Sequence, residues 1–243
     1  MRYFTCVRQR TLLLLTIGAA AVASVVAVAA EPAGEKGAAP PVADGAALYD
    51  RYCLACHGAA GDGNGPAAPW LHPKPRDLTR GRYKWRSTGG GKIPTDADLA
   101  RVIRDGAPGT SMPPFTGILD AAQVDALVAQ VKSFAPKRFA PGGKPPAVIA
   151  APPVPQDLAT RESDGKELFG KLGCAQCHGA GGKGDGPTAP DLKDAAGRPA
   201  PPFDFTSRPL RRGGGPAEIY LTLVTGLDGT PMAAFDSRPA SKL

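Results

Sequence analysis

The chain has 243 residues, of which 42% are hydrophobic and only 6% aromatic, and it carries a formal charge of +7. This length suits one or two domains. Alanine makes up so much of the apolar fraction that either half would have a thin core on its own. No basic run is interleaved with aromatic residues, so nothing in the charge balance calls for a nucleic acid.

The N-terminus opens with Arg2, Arg8 and Arg10, then runs without charge from Thr11 to Ala30, closing on Ala27-Val28-Ala29-Ala30 before Glu31. A basic start, an apolar middle and a small-residue end predict a secretory signal over residues 1–30. The run is also long enough for a retained single-pass anchor, although its alanine-rich second half favours cleavage. Loss of the three arginines leaves +4 on residues 31–243. Cys6 precedes the apolar run and is given no role. Residues 31–43 are rich in Ala, Pro and Gly and read as a tether.

Residues 44–135 are expected to form a first domain. Asp44 is placed to cap a helix running through Tyr52, with Leu48, Tyr49 and Tyr52 at helical spacing. This helix delivers the chain to Cys53-Leu54-Ala55-Cys56-His57, followed by a Gly- and Pro-rich loop from Gly58 to Pro69. After an irregular stretch over 70–92, Thr95 or Asp96 caps a helix to about Arg104, with Leu99, Val102 and Ile103 on one face. The segment from Gly106 to Phe115 cannot be helical and carries Met112. Asp120 opens the strongest helix, through Phe134, with Val124, Leu127, Val128 and Val131 as its apolar face. Residues 136–156 hold seven prolines, counted from Pro136 to Pro155. They predict an extended, semi-rigid linker that spaces two domains without fixing one orientation.

The remainder, 157–243, repeats the first domain. Cys174-Ala175-Gln176-Cys177-His178 copies the earlier motif, Gly165 to Phe169 echoes Gly45 to Tyr49, and Gly184-Asp185-Gly186-Pro187 echoes Gly63 to Pro66. Asp204-Phe205-Thr206 echoes Asp77-Leu78-Thr79, and Gly226 to Met232 echoes Gly106 to Met112. Histidine and methionine stand 55 residues apart in the first copy and 54 in the second. Register held over a domain length indicates internal duplication.

C-x-x-C-H is a c-type haem attachment signature, in which two thiols bond to the haem edge and the adjacent histidine becomes the proximal iron ligand. Two copies account for four of the five cysteines and two of the three histidines. The competing readings are a redox dithiol, which needs a βαβ setting, and a shared Cys₄ zinc site, which needs the two halves to meet face to face. Two covalent haem c groups would supply the apolar surface each thin core lacks. Their thioethers would staple the chain in place of disulfides. Covalent attachment of this kind belongs to the bacterial periplasm and similar compartments, in keeping with export. For the sixth ligand the sequence offers Met112 and Met232, one per motif in matched loops; His72 is the competing imidazole, for the first haem alone. Met/His ligation fills both axial positions and raises the potential. Outer-sphere electron transfer is the chemistry left to such an iron.

With these motifs the chain resembles the class I c-type cytochromes, as a dihaem member with two fused domains over nearly all of residues 44–243. The resemblance implies an all-α fold in which the N-terminal and C-terminal helices of each domain cross beside the haem. It implies Cys53, Cys56, His57 and Met112 for haem one, and Cys174, Cys177, His178 and Met232 for haem two. Haem propionates in such proteins are often held by basic or aromatic side chains, here Tyr83, Trp85 and Arg86 in domain one and Arg211 and Arg212 in domain two. One departure stands out: Asp236 to Leu243 shows no helical pattern, so the second domain lacks a clear C-terminal helix. Either the chain is shortened or a partner covers that side. Domain two is accordingly expected to be the less stable half and Met232 the more labile ligand.

The expectation is therefore an exported protein of the periplasm, soluble or anchored by its N-terminal segment. It would carry single electrons between redox protein partners, such as a dehydrogenase or quinol-oxidising complex and a terminal reductase or oxidase. A carrier is favoured over an enzyme. The alternatives are a dihaem peroxidase-like enzyme or an electron-transfer subunit of a larger oxidoreductase; a haem-based sensor would need an output domain that the sequence lacks. Contact with a membrane is expected only if the anchor is retained.

Overall fold

A computed structural model describes residues 44–207 and 209–235; the expected signal or anchor over 1–30, the tether over 31–43 and the tail from Asp236 to Leu243 lie outside the described residues. Seven α-helices and no strand are found among the described residues. None of these helices is long and apolar enough to cross a membrane.

In the first domain α1 spans Gly45–Tyr52, α2 Leu54–His57, α3 Asp96–Asp105 and α4 Ala121–Ser133. Local chemistry sets the helix starts. The N–H groups of Ala46 and Ala47 donate to Asp44 Oδ1 at 2.9 and 3.3 Å. Thr95 with Asp98, and Asp120 with Gln123, form capping boxes that satisfy orphan donors at both ends of the exchange. The expected apolar face of α4 is the one it buries: Val124, Leu127, Val128 and Val131 pack with Tyr49, Leu99, Ile103 and Phe115. α1 crosses α4 at Gly45, where a Cβ would collide with the main chain of Ala126. Tyr49 closes the crossing with its ring 4.9 Å from that of Phe134, and its hydroxyl donates to Gly58 O at 2.8 Å.

In the second half α5 spans Glu162–Lys171, α6 Cys174–His178 and α7 Pro216–Thr225. Every buried hydrophobic side chain among the described residues lies between Tyr49 and Ala135. Ile219 and Leu223 of α7 stay exposed. Both line a cavity, and among the described residues no helix crosses α5 as α4 crosses α1.

The proline-rich segment does not behave as a free spacer. Ile149 N–H donates to Ser87 O at 2.7 Å, Val148 pairs with Thr88, and the Phe139 ring meets Tyr83 edge-on at 6.2 Å. The expected freedom of orientation is corrected further by direct bonds between the halves, chief among them Arg86 to Asp228 at 2.9 Å. Proline content limits the conformations of the linker; it does not prevent the linker from docking.

Candidate cofactor site

Each Cys-x-x-Cys-His motif occupies a short helix whose C-terminus is stopped by a glycine at positive φ, Gly58 at 77° and Gly179 at 75°. The following loop folds back onto the motif in the same way twice. Gly63 N–H donates to His57 O at 2.9 Å and Gly65 N–H to Cys56 O at 3.2 Å. Gly184 N–H donates to His178 O at 2.9 Å and Gly186 N–H to Cys177 O at 3.1 Å. A Cβ at Gly65 or Gly186 would strike the main chain of its motif helix, so only glycine permits this approach.

The histidines are oriented by main-chain carbonyls. His57 Nδ1 lies 3.0 Å from Arg76 O, and His178 Nδ1 lies 3.2 Å from Phe203 O. A carbonyl only accepts, so Nδ1 carries the proton and Nε2 keeps the lone pair that a metal would take. Burial holds the His57 ring below the usual imidazole range, which also favours the neutral ligand form.

The methionine loops match to the level of single bonds. Ala107 N–H donates to Met112 O and Leu227 N–H to Met232 O, both at 3.0 Å. Met112 N–H donates to Thr110 Oγ1 at 3.1 Å and Met232 N–H to Thr230 Oγ1 at 3.2 Å. The two threonine hydroxyls in turn donate to Ala107 O and Leu227 O at 2.7 Å.

A cavity of about 1140 Å³ is lined by Cys53, Cys56, His57 and Met112 together with Cys174, Cys177, His178 and Met232. It exceeds the roughly 300–1,000 Å³ of ordinary small-ligand clefts. His72 also borders it but is exposed to solvent. Among the described residues no group of three or more His, Cys, Asp or Glu side chains could hold a metal ion, which disposes of a shared Cys₄ zinc site there. The absence of strands among them removes the βαβ setting that a thioredoxin-like dithiol requires.

The walls are electropositive. Burial, then the neighbouring Arg76 and Arg211, pushes the Lys84 ammonium down to about 8. Burial and Arg198 lower Arg76, and burial with Arg101 brings Arg212 down to about 10. The Tyr83 hydroxyl is buried with no hydrogen-bond partner, an arrangement that costs about 1–3 kcal/mol unless something accepts from it. Cations crowded against an orphaned hydroxyl fit the carboxylates of a haem, just as the paired thiols, neutral imidazoles and methionines fit its edge and its iron.

Of the expected propionate partners, Tyr83, Trp85, Arg211 and Arg212 line the cavity. Arg86 does not. Its guanidinium turns away to Tyr83 O, Gly89 O, Thr225 O and Asp228, and those bonds fix it at the contact between the halves. Sequence reasoning missed Arg76, Lys84 and Arg198. It also missed the two carbonyls that orient the histidines, although a signal was present: Arg76 and Phe203 immediately precede the repeated Asp77-Leu78-Thr79 and Asp204-Phe205-Thr206.

Comparison with known proteins agrees with this geometry. Residues 40–130 match the family described as cytochrome c oxidase, cbb3-type, subunit III, and residues 162–234 match cytochrome c. A chain of the reducing HAO-like protein complex of Kuenenia stuttgartiensis superposes with a TM-score of 0.75 at 38% sequence identity, over 82% of this chain and 90% of that one. The chain belongs to the c-type cytochromes, as a member with two cytochrome c domains in tandem, the class of domain that holds covalent haem c. Curated relatives include the cbb3-type cytochrome c oxidase subunit FixPc of Rhizobium leguminosarum bv. viciae, 31% identical over 63% of this chain and 45% of that protein. They also include the dihydro-heme d1 dehydrogenase of Pseudomonas aeruginosa, 34% identical over 50% of this chain and 21% of that protein. The chain thus spans about a fifth to a half of the length of the curated relatives it matches.

Proposed function

We propose that this protein is an exported carrier of single electrons with two covalent haem c groups, each held by its own motif and methionine loop. Cys53 and Cys56, with His57 and Met112 as axial ligands, would hold one; Cys174 and Cys177, with His178 and Met232, the other. When bound, the group supplies one-electron exchange at an iron whose potential Met/His ligation raises. The chain's contribution is to fix geometry. The Arg76 and Phe203 carbonyls orient the imidazoles, and Thr110 and Thr230 pin the methionine backbones. The observation that carries this reading is the bond-for-bond repetition of the histidine and methionine anchors around one cavity.

Export to the periplasm rests on the N-terminal sequence pattern and on the compartment that covalent attachment requires. Several relatives are subunits or components of larger redox assemblies by their names. This favours, as a second reading, an electron-transfer subunit of a larger oxidoreductase over a freely diffusing shuttle. A peroxidase-like enzyme has less support, because both methionine loops make the same internal bonds. Absorption spectra of the oxidised and reduced protein test the proposal, read at the near-infrared charge-transfer band of methionine-ligated ferric haem with carbon monoxide or peroxide added. Two methionine bands indifferent to added ligand are expected. A haem that lacks the band and binds the ligand would move the enzyme reading ahead.

A further inference from the structure

The two methionine loops share their internal bonds but differ in what holds them to the rest of the molecule. After Met112 the chain turns into the core: Phe115 N–H donates to Arg104 O at 2.9 Å, Phe115 is buried, and α4 follows at once. After Met232, Phe235 N–H donates to Leu223 O at 3.0 Å, but its side chain is only half-buried and no helix follows among the described residues. The second loop has one main-chain anchor in its own half, Ala195 N–H donating to Gly229 O at 3.0 Å, and its side-chain grip comes from the first domain. Arg86, fully buried, sends Nη2 to Thr225 O at 2.8 Å and to Asp228 Oδ1 at 2.9 Å, the residues on either side of the loop's first turn. Gly91 N–H adds a bond to Asp228 Oδ1 at 3.2 Å.

The grip is braced at both ends. Arg86 Nε and Nη1 donate to Gly89 O and Tyr83 O within its own domain, fixing the plane of the guanidinium. Arg212 of the second half donates back to Arg86 O at 2.9 Å, and Arg101 of α3 donates to Arg212 O at 3.4 Å. The attachment point is one of the positions at which the two loops differ: Asp228 stands where the first loop has Pro108. Proline in the first loop can accept nothing through its side chain, whereas the aspartate gives a domain-one arginine something to hold.

We infer that Arg86 is the positioning residue for the methionine loop of the second domain, so that the first domain supplies through Arg86 and Asp228 the support that the second domain's own packing does not. The inference rests on the proposed ligation by Met232. Its consequence is that the second iron's ligand set depends on the fold of the first domain.

The test uses the haem-loaded protein and follows the near-infrared methionine band through a urea titration, with Met232→His identifying the second domain's component. Arg86→Gln and Asp228→Ala are each expected to lose the Met232 component at lower urea than the unaltered protein, opening that iron to added imidazole while the Met112 component follows its original course. Arg86→Lys should restore only part of the difference, because an ammonium cannot reproduce the planar fork. Loss of both components together in Arg86→Gln would place the effect in the first domain's own fold; Asp228→Ala, which cuts the same bond from the other side, then decides. A Met232 component that survives Asp228→Ala unchanged overturns the inference. An unaltered protein with no Met232 component overturns the ligation reading itself, and the positioning role with it.

Discussion

His57 points its Nδ1 atom at the main-chain oxygen of Arg76, 3.0 Å away. The same residue therefore serves the site in two separable ways, orienting the ring through its backbone and charging the cavity through its side chain. Arg76→Ala keeps the carbonyl and removes the cation. The methionine and histidine signatures of the first haem should survive, while its potential falls, because a nearby positive charge favours the reduced iron. Removing one partly buried charge is on the order of 1 kcal/mol, or roughly 40 mV for a one-electron couple. Spectroelectrochemistry on the variant checks this; a lost ligand signature or an unchanged potential would contradict the division of roles.

Equivalent glycines in the two halves are expected to respond in opposite directions. At Gly45 an added Cβ collides with Ala126 of α4, so Gly45→Ala must push the crossing helices apart, a change that typically costs about 1–3 kcal/mol. At Gly165 in α5 the Cβ would meet nothing within 4 Å. Gly165→Ala should then be neutral or stabilising by about 0.5–1 kcal/mol through helix propensity alone. Urea denaturation of both variants, followed by helix content, measures the pair.

How far the sequence reached can be judged from such particulars. Asp44, Thr95 and Asp120 announced their helices because capping is settled within four residues, and the four valines and leucines of α4 showed their buried face through spacing. The motif and methionine loops were legible because each was written twice. Arg86 was misread as a propionate partner because its bonding depends on Thr225 and Asp228, which no local pattern connects to it. The docked linker escaped for the same reason. The proline count describes how residues 136–156 can bend, while the bonds from Ile149 to Ser87 depend on the surface available beside them.

Lys84 gives the site a pH dependence that cofactor removal should expose. Burial beside Arg76 and Arg211 brings its ammonium down from the usual 10.5 to about 8. Between those values the unfolded chain holds a proton that the folded chain has released, so stability rises with pH across that window and is flat below it. The gain across the window is about 1–3 kcal/mol once solvent screening is allowed for. In haem-free protein, urea midpoints should climb from pH 8 to 10, and Lys84→Met should remove the climb. Loaded protein should show little of it, because the haem carboxylates return a counter-charge to the ammonium. The same slope with and without haem would mean that Lys84 does not face the cofactor.

Among the described residues no hydrophobic side chain beyond Ala135 is buried by the protein itself, which bears on the order in which the sites fail. Domain one encloses its methionine loop with Phe115, Leu119 and the face of α4, whereas among the described residues the Met232 loop is backed by main-chain bonds and by Arg86, and Ile219 and Leu223 of α7 face the cavity. Apolar burial contributes about 25 cal/mol per Å², so the half with no helix packed behind its methionine loop among the described residues has less to oppose the entropy gained on opening. In a denaturant titration of the loaded protein the Met232 band should therefore disappear before the Met112 band, with helix loss following the second event rather than the first. Addition of imidazole at intermediate denaturant should convert one haem and spare the other. Coincident loss of the two bands would show instead that the bonds across the halves join both domains into one cooperative unit, and Asp228→Ala would then be expected to separate the transitions.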